Sequence, residues 1–586
     1  MENAMFSSES FNCQGAQEAC YPLQEFKKVT DVGNLKQSDF IATADWIDVY
    51  RLSYQCDQYQ AKPLEDFLFS SKDLQSFTNI LVPGDIQIDE FSTAIQSLKT
   101  AVKVDARQNI KQELYANENV LSTSLPLLEL PKSYMVKNKR LSGEDLNKLI
   151  NETSWAAKTD RELSTVDVMK VAAACYIQCS VGMEDNLSIL EGPYSCHLPR
   201  LTGEEIEDVE LAHLLLASAE KISNQLYDRA GNLLAQCSFL SSNVGRPVQR
   251  VVYYFADALK ERINRETGRI SLKQSVGSRT RLGEELEEMM IGPDPAALAC
   301  HQSLPTSQVA TFTEIQAIIE NMASAKRIHL IDLSIKFGVQ WSILMQALAV
   351  RSVCPVELLK ITAVGTFAER IAETGRQLES FAEMLKLPFV FKAVIVSDMK
   401  DIKEDLFEIE DGEAVGVYAS MVLRTMINRP DCLEHVLRVI RKLNPCIMTV
   451  TEVEGNHNSC TFINRFIEAL FYFSALFDCL DDCMNRNDCN RLSAEGKFFS
   501  LGIQSIVATE GNDRVIRHVG IDLWRSFFTR FGFIETEPSV ASLYQARLVA
   551  KQFACGSSLN FDMNGKSLTI GWKGTPLVSF SAWKLR

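Results

Sequence analysis

A short apolar run that closes on a carboxylate, Ile328-His329-Leu330-Ile331-Asp332, leads through Gly338 into Val339-Gln340-Trp341. The apolar residues Ile343, Leu344, Ala347 and Leu348 follow at helical spacing. Five residues with almost no polar alternation suit a strand buried on both faces, and the glycine turn then feeds an amphipathic helix. That order is the opening unit of a doubly wound parallel sheet, and it constrains the fold more than any other feature. Ligands and partners of such sheets meet the carboxyl ends of the strands, so Asp332 stands where function is expected.

The same alternation continues downstream. Strands are predicted at Leu358 to Val364, from Phe389 after Pro388, at Ala414 to Tyr418 and at Cys446 to Glu452. Helical spacing links Phe367, Ile371, Leu378, Phe381 and Leu385, and again Cys432 to Leu443 behind Pro430. Strands separated by helices of this length pair in parallel through right-handed crossovers. The chain end differs. Leu559 to Met563, Leu568 to Trp572 and Leu577 to Trp583 are separated by Asn564-Gly565 and Lys573-Gly574, turns that suit antiparallel hairpins at one sheet edge.

Upstream the pattern is helical. Ser164 is placed to cap a helix containing Val168, Met169, Val171 and Ala172. Leu211, Leu214, Leu215, Ala219, Ile222 and Leu226 follow the acidic turn at Glu204 to Asp208, and share one helix face. Val248, Val251, Val252, Phe255, Leu259 and Ile263 form another behind Gly245 and Pro247. Each buried Leu or Ile contributes about 1.5–3 kcal/mol, so such faces must be covered by each other, by the sheet or by a partner. Leu211-Ala212-His213-Leu214-Leu215 also fits the LxxLL pattern of helices that dock in apolar grooves.

Residues 1–160 show no sustained alternation, and stretches such as Asp45-Trp46-Ile47-Asp48 read equally as an interaction arm or an irregular subdomain. A formal net charge of −15 disfavours broad contact with DNA phosphates. The basic residues Lys260, Arg262, Arg265, Arg269, Lys273, Arg279 and Arg281 are diluted by Glu261 and Glu266 and read as a solvated linker. Lys137 to Arg140 fits a nuclear-import element. The 16 cysteines include no Cys-x-x-Cys pair and are expected to be buried, reduced thiols. No apolar run reaches the roughly 18 residues of a membrane span, so an intracellular protein is expected.

Two places in the chain offer candidate chemistry. An acid and a glycine loop after a first strand could hold a nucleotide, but Leu333, Ile335, Lys336 and Phe337 fill positions where close backbone approach needs glycine. The alternative has Asp332 capping the next helix and Trp341 locking that helix onto the sheet. His457 lies near Glu452 and Glu454, yet without a second His or Cys it reads as a hydrogen-bonded loop residue; His329, His435 and His518 read as isolated. No catalytic, cofactor or metal residues are expected.

The residues from about Leu211 to Arg586 resemble the plant GRAS family, block by block and in that family's order. Leu211 and Val248 begin segments similar to its first leucine-rich region. Ile328, His329, Leu330, Ile331 and Asp332, with Gly338, Gln340 and Trp341, resemble its VHIID block. Leu378 to Leu385 stands for part of the second leucine-rich region, and Pro388-Phe389 opens a stretch like its PFYRE region. Arg514 and Arg517 resemble its RVER element ahead of Trp524. Ser581, Ala582 and Trp583, with Trp572 upstream, resemble its closing SAW motif. The leucine-rich part is most similar to the DELLA-like branch, while residues 1–160 lack the DELLA motif.

The resemblance implies an α/β class: a doubly wound, Rossmann- or methyltransferase-like sheet with an α-helical cap at 161–285, an α/β core at 286–586 and a variable N-terminal region. It also implies a nuclear transcriptional regulator that is not an enzyme. Partners would be DNA-binding transcription factors, such as plant zinc-finger proteins, and other GRAS proteins, with homo- or heterodimers among the assemblies and DNA met mainly indirectly. The partner-binding face would comprise Leu211, Leu214, Leu215, Ile222, Leu226, Val251, Val252 and Phe255. A direct DNA-binding factor and a methyltransferase-like small-molecule binder are the alternatives.

Overall fold

A computed structural model describes residues 163–182, 201–269 and 295–586. Residues 1–160, the Lys137 to Arg140 element and the basic residues Lys273, Arg279 and Arg281 lie outside the described residues.

Four helices come first: α1 (Thr165–Gly182), α2 (Gly203–Ser223), α3 (Tyr227–Leu240) and α4 (Pro247–Glu266). Ser164 Oγ accepts from the Asp167 backbone N–H, as its position predicts. Thr202 and Glu205 form a reciprocal capping box at the start of α2. Next come α5 (Pro295–Ser303), α6 (Pro305–Asn321), β1 (Arg327–Asp332), α7 (Val339–Ala349), β2 (Leu358–Gly365), α8 (Ala368–Met384), β3 (Phe389–Ile395) and β4 (Ala414–Ser420). They are followed by α9 (Pro430–Leu443), β5 (Ile447–Val453), α10 (Phe462–Cys483), α11 (Cys489–Ala494), α12 (Ser500–Val507), α13 (Ile521–Arg530), β6 (Phe533–Thr536) and α14 (Val540–Lys551). The chain closes with β7 (Leu559–Asn564), β8 (Ser567–Trp572) and β9 (Thr575–Leu585).

The sheet runs β3-β2-β1-β4-β5-β9-β8-β7, and β6 pairs with the far end of β9. The first five strands are parallel, and β9 lies antiparallel to β5. Strand order reverses between β1 and β4, the switch point where doubly wound sheets open a crevice. Along β1, Ile328 and Leu330 enter one apolar cluster and Ile331 the other, so both faces are covered. Helices α7 and α8 pack on the first face, α9 and α13 on the second.

Gly338 adopts φ 68°, and a Cβ there would come within 2.7 Å of Thr374 on α8, so the turn needs glycine twice over. The hairpin between β8 and β9 turns on Lys573 and Gly574, both at positive φ, as a type I′ turn requires.

Two features differ from the sequence reading. The helical layer is built from two parts of the chain, because α10 and α12 pack against α4. The basic cluster at 260–269 is not a solvated linker: Lys260, Arg262 and Arg265 sit on α4, and Arg262 is buried over the Phe462 ring at 3.9 Å. Its aliphatic stem and planar guanidinium suit an aromatic face, which charge counting alone does not reveal. No described helix is long and apolar enough to cross a membrane.

Candidate functional site at the strand ends

Asp332 ends β1 almost fully buried. Its Oδ1 accepts from Ser334 N at 3.0 Å, and its Oδ2 accepts from Trp341 Nε1 at 2.8 Å and Gln340 Nε2 at 3.1 Å. Burial raises its carboxyl to about 6 against these bonds. Gly338 occupies the N-cap of α7, so Asp332 holds the Trp341 indole and not the helix backbone as expected. Trp341 meets Tyr418 edge-on at 5.0 Å, joining α7 to β4. This carboxylate is committed to the fold.

His329 is not isolated. Its ring bridges Glu413 at 2.9 Å and Thr362 at 2.8 Å, and burial with the nearby Lys360 charge lowers its pKa against the pull of Glu413. His457 and His518 likewise form one buried pair, Nδ1 to Nδ1 at 2.8 Å, across 61 residues of chain. Burial lowers both, and one neutral ring must donate to the other. Only folding brings them together.

The remaining motif residues join elements. Pro388 precedes edge strand β3, where its carbonyl accepts from Leu359 N and its missing N–H costs nothing. Phe389 lies opposite Leu359. Arg514 and Arg517 both donate to Asn458 Oδ1, tying the segment before α13 to the loop after β5. Trp524 stacks on Phe528 at 5.6 Å, and Trp583 meets the same ring at 4.8 Å. Trp583 Nε1 donates to Ser581 Oγ, while Ala582 lies opposite Thr449 and Thr536. Trp572 Nε1 donates to Asp478 Oδ2; the other oxygen of Asp478 accepts from Thr165, linking the sheet edge to the start of α1.

The leucine face points inward. Leu211, Leu215, Ile222, Val251, Val252 and Phe255 are all core residues, and Leu214 is half-buried. Helical periodicity identifies an apolar face without saying what covers it, and here helices of the same chain do. Leu226 is 41% exposed and does not continue α2: Gln225 takes φ 60°, and Leu226 stands at the N-cap of α3. Phe239, Leu240, Val244 and Tyr253 are the exposed apolar residues that sequence reasoning missed around the α3–α4 connection.

Glu314 on α6 is fully buried, and neither of its oxygens reaches hydrogen-bond geometry with the neighbouring Thr451, Tyr418 and Ser420 hydroxyls. Burial pushes its carboxyl up to about 8. The folded state therefore retains a proton that the unfolded state loses near 4.5, so stability should fall as pH rises from 4.5 through 8. Glu314→Gln should remove that loss, on the order of 5 kcal/mol across the window, and melt higher than the native chain at pH 8.5. Parallel melting curves for the two proteins across pH 5 to about 9 would count against a buried, protonated Glu314.

The geometry defines a class: a Rossmann-like, doubly wound α/β domain whose first-strand acid is locked to a tryptophan and which carries a helical layer. The crystal structure of SCL7 from Oryza sativa shares this fold, with a TM-score of 0.55 and 28% identity over 64% of this chain and 99% of that one. The GRAS domain family model matches residues 211–584, and the chain belongs to that family. It is similar to the DELLA protein RGL1 of Arabidopsis thaliana, 32% identical over 378 residues, or 64% of this chain and 70% of that protein. The DELLA protein GAI1 of Vitis vinifera is 31% identical over 385 residues, covering 64% of this chain and 62% of that protein, so the match spans less than two thirds of the Vitis chain.

Proposed function

We propose that this chain is a nuclear transcription regulator that acts through protein contacts, recruiting DNA-binding transcription factors and other members of its family rather than gripping DNA itself. The observation that carries this reading is the apolar patch around the α3–α4 connection. Phe239 is 88% exposed, and Leu240, Val244 and Tyr253 are exposed beside it. Gln249 Nε2 reaches the Leu240 carbonyl, which brings the end of α3 against α4 one turn before Tyr253. A large exposed phenylalanine amid other apolar side chains favours a partner's apolar face. The net charge of −15 favours basic partners, as DNA-binding proteins commonly are, over bare DNA.

The combined change Phe239→Asp, Leu240→Asp and Val244→Asp should abolish co-precipitation of a zinc-finger partner while leaving the melting temperature nearly unchanged, because surface changes cost about 0.5 kcal/mol or less each. Undiminished capture would place docking elsewhere. Mobility shifts should show promoter DNA retarded only when the partner is present. A shift by the purified chain alone, steeply weakened by salt, would favour direct DNA binding instead.

A further inference from the structure

A cavity of about 220 Å³ opens where β1 and β4 diverge, between their carboxyl ends and helix α10. Lys336, from the loop after β1, and Arg424, from the 3₁₀ turn after β4, both line it. Much of the remaining lining is aromatic: Phe337, Tyr472, Phe473 and the pair Phe498 and Phe499. That pair belongs to a single π-helical turn, Glu495–Phe499, which interrupts the path from α11 to α12.

The two cations are the unusual element. Most buried or half-buried arginines of this fold meet a carboxylate: Arg246 meets Asp208, Arg250 meets Asp481 and Arg491 meets Glu495. Among the described residues, neither Lys336 nor the Arg424 guanidinium has a carboxylate within ion-pair distance. Arg424 Nη1 donates only to the Met421 sulfur, at 3.3 Å. Glu452 is near both, but one of its oxygens accepts from the Arg424 backbone N–H and the other has no partner. Burial together with the Arg424 charge lowers Lys336 to about 8 against the weaker pull of Glu452 and Asp332, and burial raises Glu452 itself to about 7, so its charge only partly offsets the two cations. Two cations lining one cavity without an ion pair are costly unless an anion enters.

We propose that this cavity binds a small amphiphilic organic anion, its carboxylate or phosphate held by Lys336 and Arg424 and its apolar body lying against Tyr472, Phe473, Phe498 and Phe499. The site is displaced from Asp332, whose oxygens are already committed, and it needs no glycine-rich loop. Arg517 and His518 also line the cavity, but Arg517 is occupied by Asn458 and Gly511, and His518 by His457. The assignment stands apart from partner docking at the α3–α4 patch, and neither depends on the other.

The test uses the full chain with three probes: 4-phenylbutyrate, phenyl phosphate and the neutral 4-phenylbutyramide. At least one anion should raise the melting temperature and bind in calorimetry about tenfold or more tightly than the amide. The carboxylate or the phosphate arm responding alone identifies the head group. Lys336→Met with Arg424→Met should erase the preference for the anion and leave the probe-free protein as stable as before or more so. Lys336→Gln offers a second variant if the double change folds poorly. Equal binding of amide and anions, no binding of either anion at millimolar concentration, or a lower melting temperature for probe-free Lys336→Gln would overturn the assignment.

Discussion

Leu215→Asp is expected to unfold the helical layer, with a loss above about 4 kcal/mol and no cooperative melt for α1 to α4. Leu215 is fully buried on α2, within the same cluster as Val251, Val252 and Phe255 on α4. The substitution removes a core side chain, worth about 2–5 kcal/mol when truncated, and inserts a carboxylate with no partner there. Leu214→Asp, one residue earlier and half-buried, should cost far less and retain the native melt. The comparison matters because both changes could abolish partner capture, one by unfolding and one by altering a surface. Circular dichroism melts recorded beside co-precipitation separate the two causes. A folded Leu215→Asp protein with native stability would show that this face is not core.

That pair of leucines also shows how far sequence carries. The inner parallel strands β1, β2, β4 and β5 were legible because each is a near-continuous apolar run between turn residues, as burial on both faces demands, and edge strand β3 was marked by Pro388 instead. Helix α9 was legible because Pro430 opens it and its apolar spacing is unbroken. Helix α3 was not, since Leu226 prolongs the spacing of α2 and the break rests on the positive φ of Gln225, a residue with no special turn preference. Four-residue β6 is too short to carry a period and exists because the end of β9 leaves an edge to pair. The bond from Asp332 to Trp341 was half legible: the residues were singled out, but helix capping was the wrong bond, because Gly338 sits at the cap. The His457–His518 pair and the cavity shared by Lys336 and Arg424 depend on distant segments meeting. No local pattern encodes them.

Arg250→Met should lower stability by about 3–5 kcal/mol, although it replaces a charged group with an apolar one of similar length. Arg250 is fully buried on α4. Its guanidinium donates to Asp481 Oδ1 at 2.8 Å, to the Gly245 carbonyl at 3.0 Å and to the Phe477 carbonyl at 3.2 Å, and its Nε lies 3.2 Å from Glu495 Oε1. Methionine restores volume but none of these donors, so two carbonyls lose a bond and two carboxylates lose a counter-charge. Among the described residues, Asp481 retains Arg486 near the surface, whereas Glu495, wholly buried, retains only Arg491. Burial already raises the Glu495 carboxyl, and loss of Arg250 must raise it further. An acid raised in the folded state costs stability as pH increases, so the variant should be relatively worse at pH 8 than at about pH 5. Adding Glu495→Gln should recover part of the loss and flatten that dependence, a coupling measurable by a double-mutant cycle in urea. Additive costs, or a variant insensitive to pH, would mean that Arg250 and Glu495 do not act as a pair. The consequence reaches beyond α4, because Glu495 opens the π-helical turn that carries Phe498 and Phe499. The arginine that fastens the early helices to the late ones therefore also sets the aromatic wall of the strand-end cavity.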